Sequence, residues 1–308
     1  MNVMVPISKI DQIDKYCQAG ADEFYFGFYD EKWDRKYGIF EEINRMSSFG
    51  STANFSLGQI EEVVNILKDK GKKAYLTLNS PMYSTEQHRY IEDLIHLGFF
   101  EELDGLIVGD PCIIEIINQT DVPIVLSTIA GSYNSMIIRF YEKMNIRRMI
   151  LPRDMQIQDM QSIVKKFPEI EFEVFLMRNG CKYSDAHCMS FHGRKYGAMC
   201  ACFDKSLMEV CIRDNISHEF CKEVYSNNKL FTKAFHKEAC GLCSIAAFYN
   251  MGIKSLKIVG RADSPEMVSQ DIIYVKRIIS ALEEGKSSIE SLVSYDNCLY
   301  GLNCYYHL

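Results

Sequence analysis

No stretch of the 308-residue sequence approaches ~18 consecutive apolar residues, so a membrane-spanning helix is not expected. A secretory signal is missing too. The opening residues, Met1 to Pro6, run into Lys9 and Asp11 before an apolar core can form, which makes the cytoplasm the expected compartment. Positive charge is in deficit. With 34 Lys and Arg against 41 Asp and Glu, the formal net charge is −7, which argues against a broad polyanion-binding surface and leaves room only for a local basic patch. H-E-x-x-H and G-x-S-x-G are absent, and Gly285-Lys-Ser287 lacks the earlier glycine of a phosphate-binding loop because Ser280 stands there. A peptidase needs an activated nucleophile or a metal-bound water, and no residue pattern identifies one. The C-x3-C-x2-C spacing of radical enzymes that use S-adenosylmethionine is also absent. No low-complexity tract, linker or internal repeat marks a second domain.

What is present is enough apolar matter for a core. Hydrophobic residues make up 47% of the chain and charged ones 24%, too apolar for intrinsic disorder. Short β-branched and aromatic runs recur at 3–6, 23–28, 73–79, 105–110, 123–127, 148–153, 171–177 and 255–260. Segments of helical period lie between them, at 8–19, 56–70, 84–97, 111–119, 135–144 and 158–167, with another at 265–284. Gly20, Gly98 and Gly252 each close a helical stretch just before a strand. Alternating βα units predict a parallel sheet, and eight of them predict an α/β fold of the (β/α)8 TIM-barrel type. A doubly wound open sheet is the runner-up, disfavoured because the first unit has no G-x-G-x-x-G turn. Two segments break the rhythm. Residues 29–53, rich in charges and aromatics, read as a loop or short helix over the barrel top. Residues 178–239 form an insertion after strand seven, and loops of that length are usually functional. The whole, 1–308, is expected to be one barrel domain with a tail at 285–308.

The cysteines point to chemistry. Of twelve, Cys17 and Cys112 stand alone and read as free core thiols. Cys181, Cys188, Cys200, Cys202, Cys211, Cys221, Cys240 and Cys243 crowd one stretch, and Cys298 and Cys304 form a last pair. In a reducing compartment such density favours thiolate ligation of zinc or an iron–sulfur cluster over disulfides.

Ordered landmarks also resemble a known family. They are Ala19-Gly-Ala-Asp-Glu-Phe-Tyr-Phe-Gly27, Asn54-Phe-Ser-Leu57, Ala74-Tyr-Leu-Thr-Leu-Asn79, Leu151-Pro-Arg153, Glu173-Val-Phe175, Gly180-Cys181, Cys188-Met-Ser190 and Gly193-Arg194. Cys240, Gly252 and Lys257-Ile-Val-Gly-Arg261 follow at matching spacing. From residue 1 to about 275 the chain resembles the peptidase U32 family. The resemblance implies a barrel carrying a [4Fe–4S] cluster on four cysteines. Cys181, Cys188 and Cys240 match the ligand positions, and Cys200 fits the remaining one, with Cys202 as its rival. Several members of the family resemble oxygen-independent hydroxylation proteins that act on a quinone precursor or on bases of transfer and ribosomal RNA, some depending on prephenate. Departures from the pattern are Ser127-Thr-Ile-Ala-Gly-Ser132 after strand five, Val259 where the family has Glu, and the extra cysteines Cys211, Cys221, Cys243, Cys298 and Cys304. The substrate therefore does not carry over from any one member.

A barrel supports the same location on geometric grounds. Cys181 follows strand seven and belongs at the C-terminal face, where barrel active sites are built. Cys240 opens the next helix at that face, and the insertion can bring Cys188 and Cys200 between them. Zinc is the alternative metal, but structural zinc sites draw on close pairs such as C-x2-C, and here Cys240/Cys243 alone has that spacing. Asn79, Asp110, Ser127, Thr128, Arg153, Arg178 and Arg261 end strands or follow them. The three arginines can clamp a carboxylate or phosphate, or can pair with neighbours such as Asp154 and Asp263. His187 and His192 flank Cys188 as candidate proton donors or ligands, or as loop residues bonded locally. Tyr25, Tyr75 and Tyr183 line the mouth or belong to the core. The leading expectation is an iron–sulfur enzyme that hydroxylates a small aromatic or anionic molecule, or an RNA base. The alternatives are an endopeptidase, or a non-catalytic cluster-carrying subunit with a paralogous partner; a homo-oligomer is also open. An RNA modifier calls for a basic face, built from Arg147, Arg148, Lys165 and Lys166, unless these are only a solvated helix end.

Overall fold

The computed structural model describes residues 1–37, 42–181, 183–188, 192–193, 197–198, 238–285 and 303–306. Cys200, Cys202, Cys211, Cys221 and Cys298 lie outside the described residues, as does the side chain of His192.

Eight strands form one closed barrel: β1 (Asn2–Pro6), β2 (Glu23–Phe26), β3 (Lys73–Leu78), β4 (Gly105–Val108), β5 (Ile124–Leu126), β6 (Ile146–Ile150), β7 (Glu171–Met177) and β8 (Ser255–Ile258). Each pairs in parallel with its sequence neighbour, and β8 closes on β1 through Asn2 opposite Ser255. Closure decides against the open sheet, since β1 has a partner on both sides. Strands buried on both faces are apolar throughout rather than alternating, as β4 with Gly-Leu-Ile-Val shows.

Among the described residues the α-helices are α1 (Asp11–Ala19), α2 (Glu31–Tyr37), α3 (Ile60–Asp69), α4 (Thr85–His96), α5 (Pro111–Ile117), α6 (Ser135–Glu142), α7 (Ile157–Lys166), α8 (Ile245–Met251) and α9 (Pro265–Glu283). In α3 the buried residues are Ile60, Val63, Val64 and Leu67, one stripe at helical spacing. Burying each such side chain contributes about 1.5–3 kcal/mol before entropy is counted. Start signals act as the residue types predict. Ser84 caps α4 in a capping box with Gln87, Asp110 caps α5 ahead of Pro111, and Asn134 caps α6. Gly20 ends α1 at φ 105, a left-handed backbone that strains any residue with a Cβ.

The segment after β2 is structured. Trp33 of α2 is buried, with Tyr37, Tyr83 and Tyr90 packed edge-on around it. Residues 303–306 also join the core. Tyr305 and Tyr306 are buried, Tyr306 Oη donates to Phe175 O at 2.8 Å, and Tyr305 Oη donates to Arg178 O. Cys304 forms a backbone bridge with Cys240, which in turn bridges Met177.

Inside the barrel, the strand residues away from the mouth hold a charged layer. Arg148 bonds Glu23 at 2.8 and 2.9 Å, Glu173 at 3.3 Å and Glu171 at 3.1 and 3.2 Å, while Lys257 Nζ reaches Glu173 at 2.8 Å. This corrects the expected basic face. Arg148 is 2% exposed and points into the barrel, because successive strand residues face opposite ways. Its neighbour Arg147 is outside, paired with Glu171 at 3.0 Å, and Lys165 and Lys166 occupy the last turn of α7, where cations suit the helix dipole. Cys112 likewise is exposed rather than a core thiol. It lies in the first turn of α5, whose buried face is Ile113, Ile114 and Ile117.

Candidate functional site

The chain leaves β7 through a tight bend. Arg178 at φ 66 and Asn179 at φ 47 are both left-handed, a conformation non-glycine residues seldom adopt and one that functional sites retain. The bend delivers Cys181 at the C-terminal mouth, and a short 3-10 turn, Asp185–His187, then delivers Cys188. Cys240 lies ahead of α8 on an extended bridge between Met177 and Cys304, rather than opening the helix itself. Cys181, Cys188, Cys240 and Cys304 are half-buried, and Cys243 is exposed.

Two residues outside the expected set organise the thiols. Arg45 Nη2 donates to Cys188 Sγ at 3.1 Å, and its Nη1 donates to Asp185 Oδ1 at 3.1 Å. On the other side of Asp185, Arg153 Nε donates to Oδ2 at 2.8 Å, while Arg153 Nη1 donates to Asn179 O at 2.8 Å. The Arg153 guanidinium lies 4.1 Å from the ring centre of Phe175 and 5.9 Å from that of Tyr305. Burial opposes the charge on Asp185, but the guanidiniums of Arg153 and Arg45 outweigh it and hold the carboxyl below its usual range. The signals were faint. Asp185 sits between the two cysteines, and Arg45 lies in the long 29–53 connection; neither belongs to a recognisable motif.

The three strand-end arginines are not equivalent. Arg178 is taken up structurally, forking onto Asp271 at 2.7 and 2.9 Å and reaching Glu238 at 2.7 Å, so it ties the end of β7 to α9. Arg153 is paired with Asp185. Asp154 and Asp263 serve elsewhere: Tyr133 Oη donates to Asp154 at 2.6 Å, and Asn179 Nδ2 donates to Asp263 at 2.8 Å. Arg261 differs from both. It is 7% exposed, and no carboxylate among the described residues comes within 4.0 Å of it. Its Nη1 donates instead to two neutral acceptors, Asn54 Oδ1 at 2.9 Å and Asn44 Oδ1 at 3.1 Å. Burial pulls its pKa down to about 10, with Tyr25 and Glu42 opposing and Arg45 adding to the effect. Gly27 makes room for it, since a Cβ there would lie 2.1 Å from Arg261 Nη1 and 2.4 Å from Asn54 Oδ1. A buried guanidinium whose hydrogen bonds go to neutral amides is suited to receive an anionic group.

The remaining candidates hold the mouth together. Asn79 Oδ1 accepts from Arg45 N at 3.3 Å, Ser127 caps the turn Thr128–Ala130, and Thr128 is buried. His187 Nδ1 lies 3.3 Å from Ser184 Oγ, a local loop contact. Tyr25 and Tyr75 are core, whereas Tyr183 is 37% exposed. Among the described residues, three metal-capable atoms fall within 4.8 Å of one another at His88, Asp110 and Cys112. There Asp110 Oδ1 already accepts from Cys112 N at 2.8 Å and from Ile113 N at 3.3 Å as the cap of α5, with His88 Nε2 3.3 Å away. Among the described residues Cys181, Cys188 and Cys240 do not all gather within 4.8 Å of one another.

Fold and mouth together define an all-parallel eight-stranded barrel protein whose C-terminal face sets cysteine side chains beside guanidinium groups. A family model, Peptidase family U32, matches residues 8–300, and the chain belongs to that family. It is 23% identical over 311 residues to "Collagenase" of Porphyromonas gingivalis, covering 96% of this chain and 70% of that protein. Over 180 residues it is 29% identical to "tRNA hydroxylation protein P" of Escherichia coli, covering 57% of this chain and 34% of that protein. Over 288 residues it is 24% identical to "tRNA hydroxylation protein P1" of Bacillus subtilis, covering 91% and 63%. The chain thus spans between 34% and 63% of the length of these hydroxylation proteins.

Proposed function

We propose that this chain is an iron–sulfur enzyme of the U32 family that takes part in oxygen-independent hydroxylation of a tRNA base, acting in the cytoplasm. The observation that carries the reading is the group of cysteines Cys181, Cys188 and Cys240 at the barrel mouth, one of them bonded by Arg45. Cys181, Cys188 and Cys240 would be three ligands of a [4Fe–4S] cluster, with Cys200, or Cys202 in its place, as the remaining one. Such a cluster supplies one-electron transfer or Lewis acidity when bound.

Arg261 binds an anionic group of the substrate or of the hydroxyl donor. Asn44 and Asn54 fix its Nη1 edge, and the ligand would bring a direct ion pair to a guanidinium otherwise bonded to amides. Arg153 keeps Asp185 ionised and braces the bend through Asn179 O, so the thiol-bearing turn is set before ligand binds. The likeness to tRNA hydroxylation proteins supports a tRNA substrate, with recognition resting on a local surface because the overall charge is −7. The test is mass spectrometry of tRNA nucleosides from a deletion strain. One nucleoside should lose an oxygen, wild-type protein should restore it, and the Cys181→Ala/Cys240→Ala variant should not.

A second reading, proteolysis, is favoured by the "Collagenase" likeness over 96% of this chain. Peptide-bond cleavage by the purified protein that survives the cysteine substitutions would establish it in place of the first.

A further inference from the structure

Arg45 sits where a structural arginine has no need to reach. Its pairing with Asp185 would suffice to anchor the 3-10 turn, yet the second arm of the same guanidinium extends to Cys188 Sγ at 3.1 Å. Asp185 is thereby shared by two cations, Arg45 on one oxygen and Arg153 on the other, and is itself fully buried. Two guanidiniums thus share one carboxylate, and one of them also bonds Cys188 Sγ.

We propose that the Arg45–Asp185–Arg153 array is an electrostatic regulator of the thiolate centre, in which Arg45 is a positioning residue that raises the reduction potential of the cluster held by Cys188. The proposal rests on the iron–sulfur reading above. Its physical basis is general. Adding an electron to a thiolate-ligated cluster adds negative charge, and a hydrogen bond to a ligand sulfur together with nearby positive charge favours the reduced form. Arg45 supplies both from one planar fork, which lysine cannot do because its ammonium is a single point donor. Asp185 acts in the opposite sense. It orients the fork, but its own charge offsets part of the positive field.

That opposition makes the test decisive. The full chain is purified anaerobically as wild type, Arg45→Gln, Arg45→Lys and Asp185→Asn. Iron and sulfide are quantified, and the cluster is titrated against redox dyes with electron paramagnetic resonance of the reduced form as readout. The expected result is that Arg45→Gln lowers the ratio of reduced to oxidised cluster at fixed ambient potential by about tenfold, which is about 59 mV for one electron. Arg45→Lys should fall between it and wild type, and Asp185→Asn should move the ratio the other way. A purely structural role would lower cluster content in both Arg45→Gln and Asp185→Asn with no opposed shifts. Equal potentials in all four proteins, at full iron content, overturn the proposal while leaving the iron–sulfur reading intact. If Arg45→Gln does not hold the cluster, Arg45→Lys decides, and a wild-type potential there overturns it. Wild-type protein without iron and sulfide overturns both.

Discussion

Replacing Arg261 with Met should cost the protein its function without costing it stability. The buried guanidinium has its pKa drawn down to about 10 from the ordinary arginine value. At about 1.36 kcal/mol per pH unit, this corresponds to about 3 kcal/mol of native-state destabilisation, with ordinary arginine at about 12.5. The sign follows from linkage. The folded state binds this proton less tightly than the unfolded state, so the penalty is present in full below about pH 10 and is relieved only above it. Against this gain stands the loss of two hydrogen bonds. Asn44 Oδ1 keeps a donor, Met46 N at 3.0 Å, and both asparagines stay anchored through Nδ2, to Phe28 O at 2.8 Å and Met46 O at 2.6 Å. Only Asn54 Oδ1 loses its partner, which costs about 1–3 kcal/mol. Net, Arg261→Met should leave stability unchanged or raise it by up to about 2 kcal/mol. Equilibrium urea unfolding measures this as a shift in midpoint at constant slope. A destabilisation of about 3–5 kcal/mol, the effect of breaking a buried ion pair, would refute the reasoning and make Arg261 structural. Gly27→Ala supplies a cross-check. Its added Cβ would lie 2.1 Å from Arg261 Nη1 and 2.4 Å from Asn54 Oδ1, so it should destabilise wild type and cost less in the Met background, where the contact with Asn54 remains.

Other expectations test neighbouring parts. Arg148→Met leaves Glu23 without its cation inside the barrel, while Glu173 keeps Lys257, and should destabilise by about 3–5 kcal/mol in urea melts, with iron content per folded chain unchanged. Asp185, held below its usual range by Arg153 and Arg45 against burial, contributes stability that is present above the unfolded carboxylate value and lost as pH falls through the folded one. Asp185→Asn should therefore flatten the acid limb of the stability curve. Asp110→Ala removes the cap of α5 and should cost about 1 kcal/mol, seen as a lower Tm.

Most of the barrel was legible because its elements obey local rules. Short β-branched apolar runs such as Gly105-Leu-Ile-Val108 read as buried strands, and Ser84, Asp110 and Gly20 mark helix ends by their own hydrogen-bonding and backbone chemistry. Arg148 shows where that logic stops. A cation on a strand reads as exposed until the strands opposite are known to bring Glu23 and Glu173 to it, from residues far away in sequence. The mouth divides in the same way. Cys181, Cys188 and Cys240 were visible as a cluster of one residue type, and Arg261 as a strand-end charge. Arg45 and Asp185 were not, because their roles exist only once the 29–53 connection folds onto the turn after β7. Nor did spacing separate the three arginines. Arg178 finds Asp271 and Glu238, Arg153 finds Asp185, and Arg261 finds two amides, distinctions made by tertiary packing alone.

The central claim is that the mouth thiols hold an iron–sulfur cluster, and quantifying iron and acid-labile sulfide after anaerobic purification tests it most directly, with electron paramagnetic resonance of the reduced protein alongside. About four irons and about four sulfides per chain are expected, with loss of both in Cys181→Ala/Cys240→Ala. Stoichiometric zinc in their place, or iron and sulfide that persist in that double variant, would contradict the account.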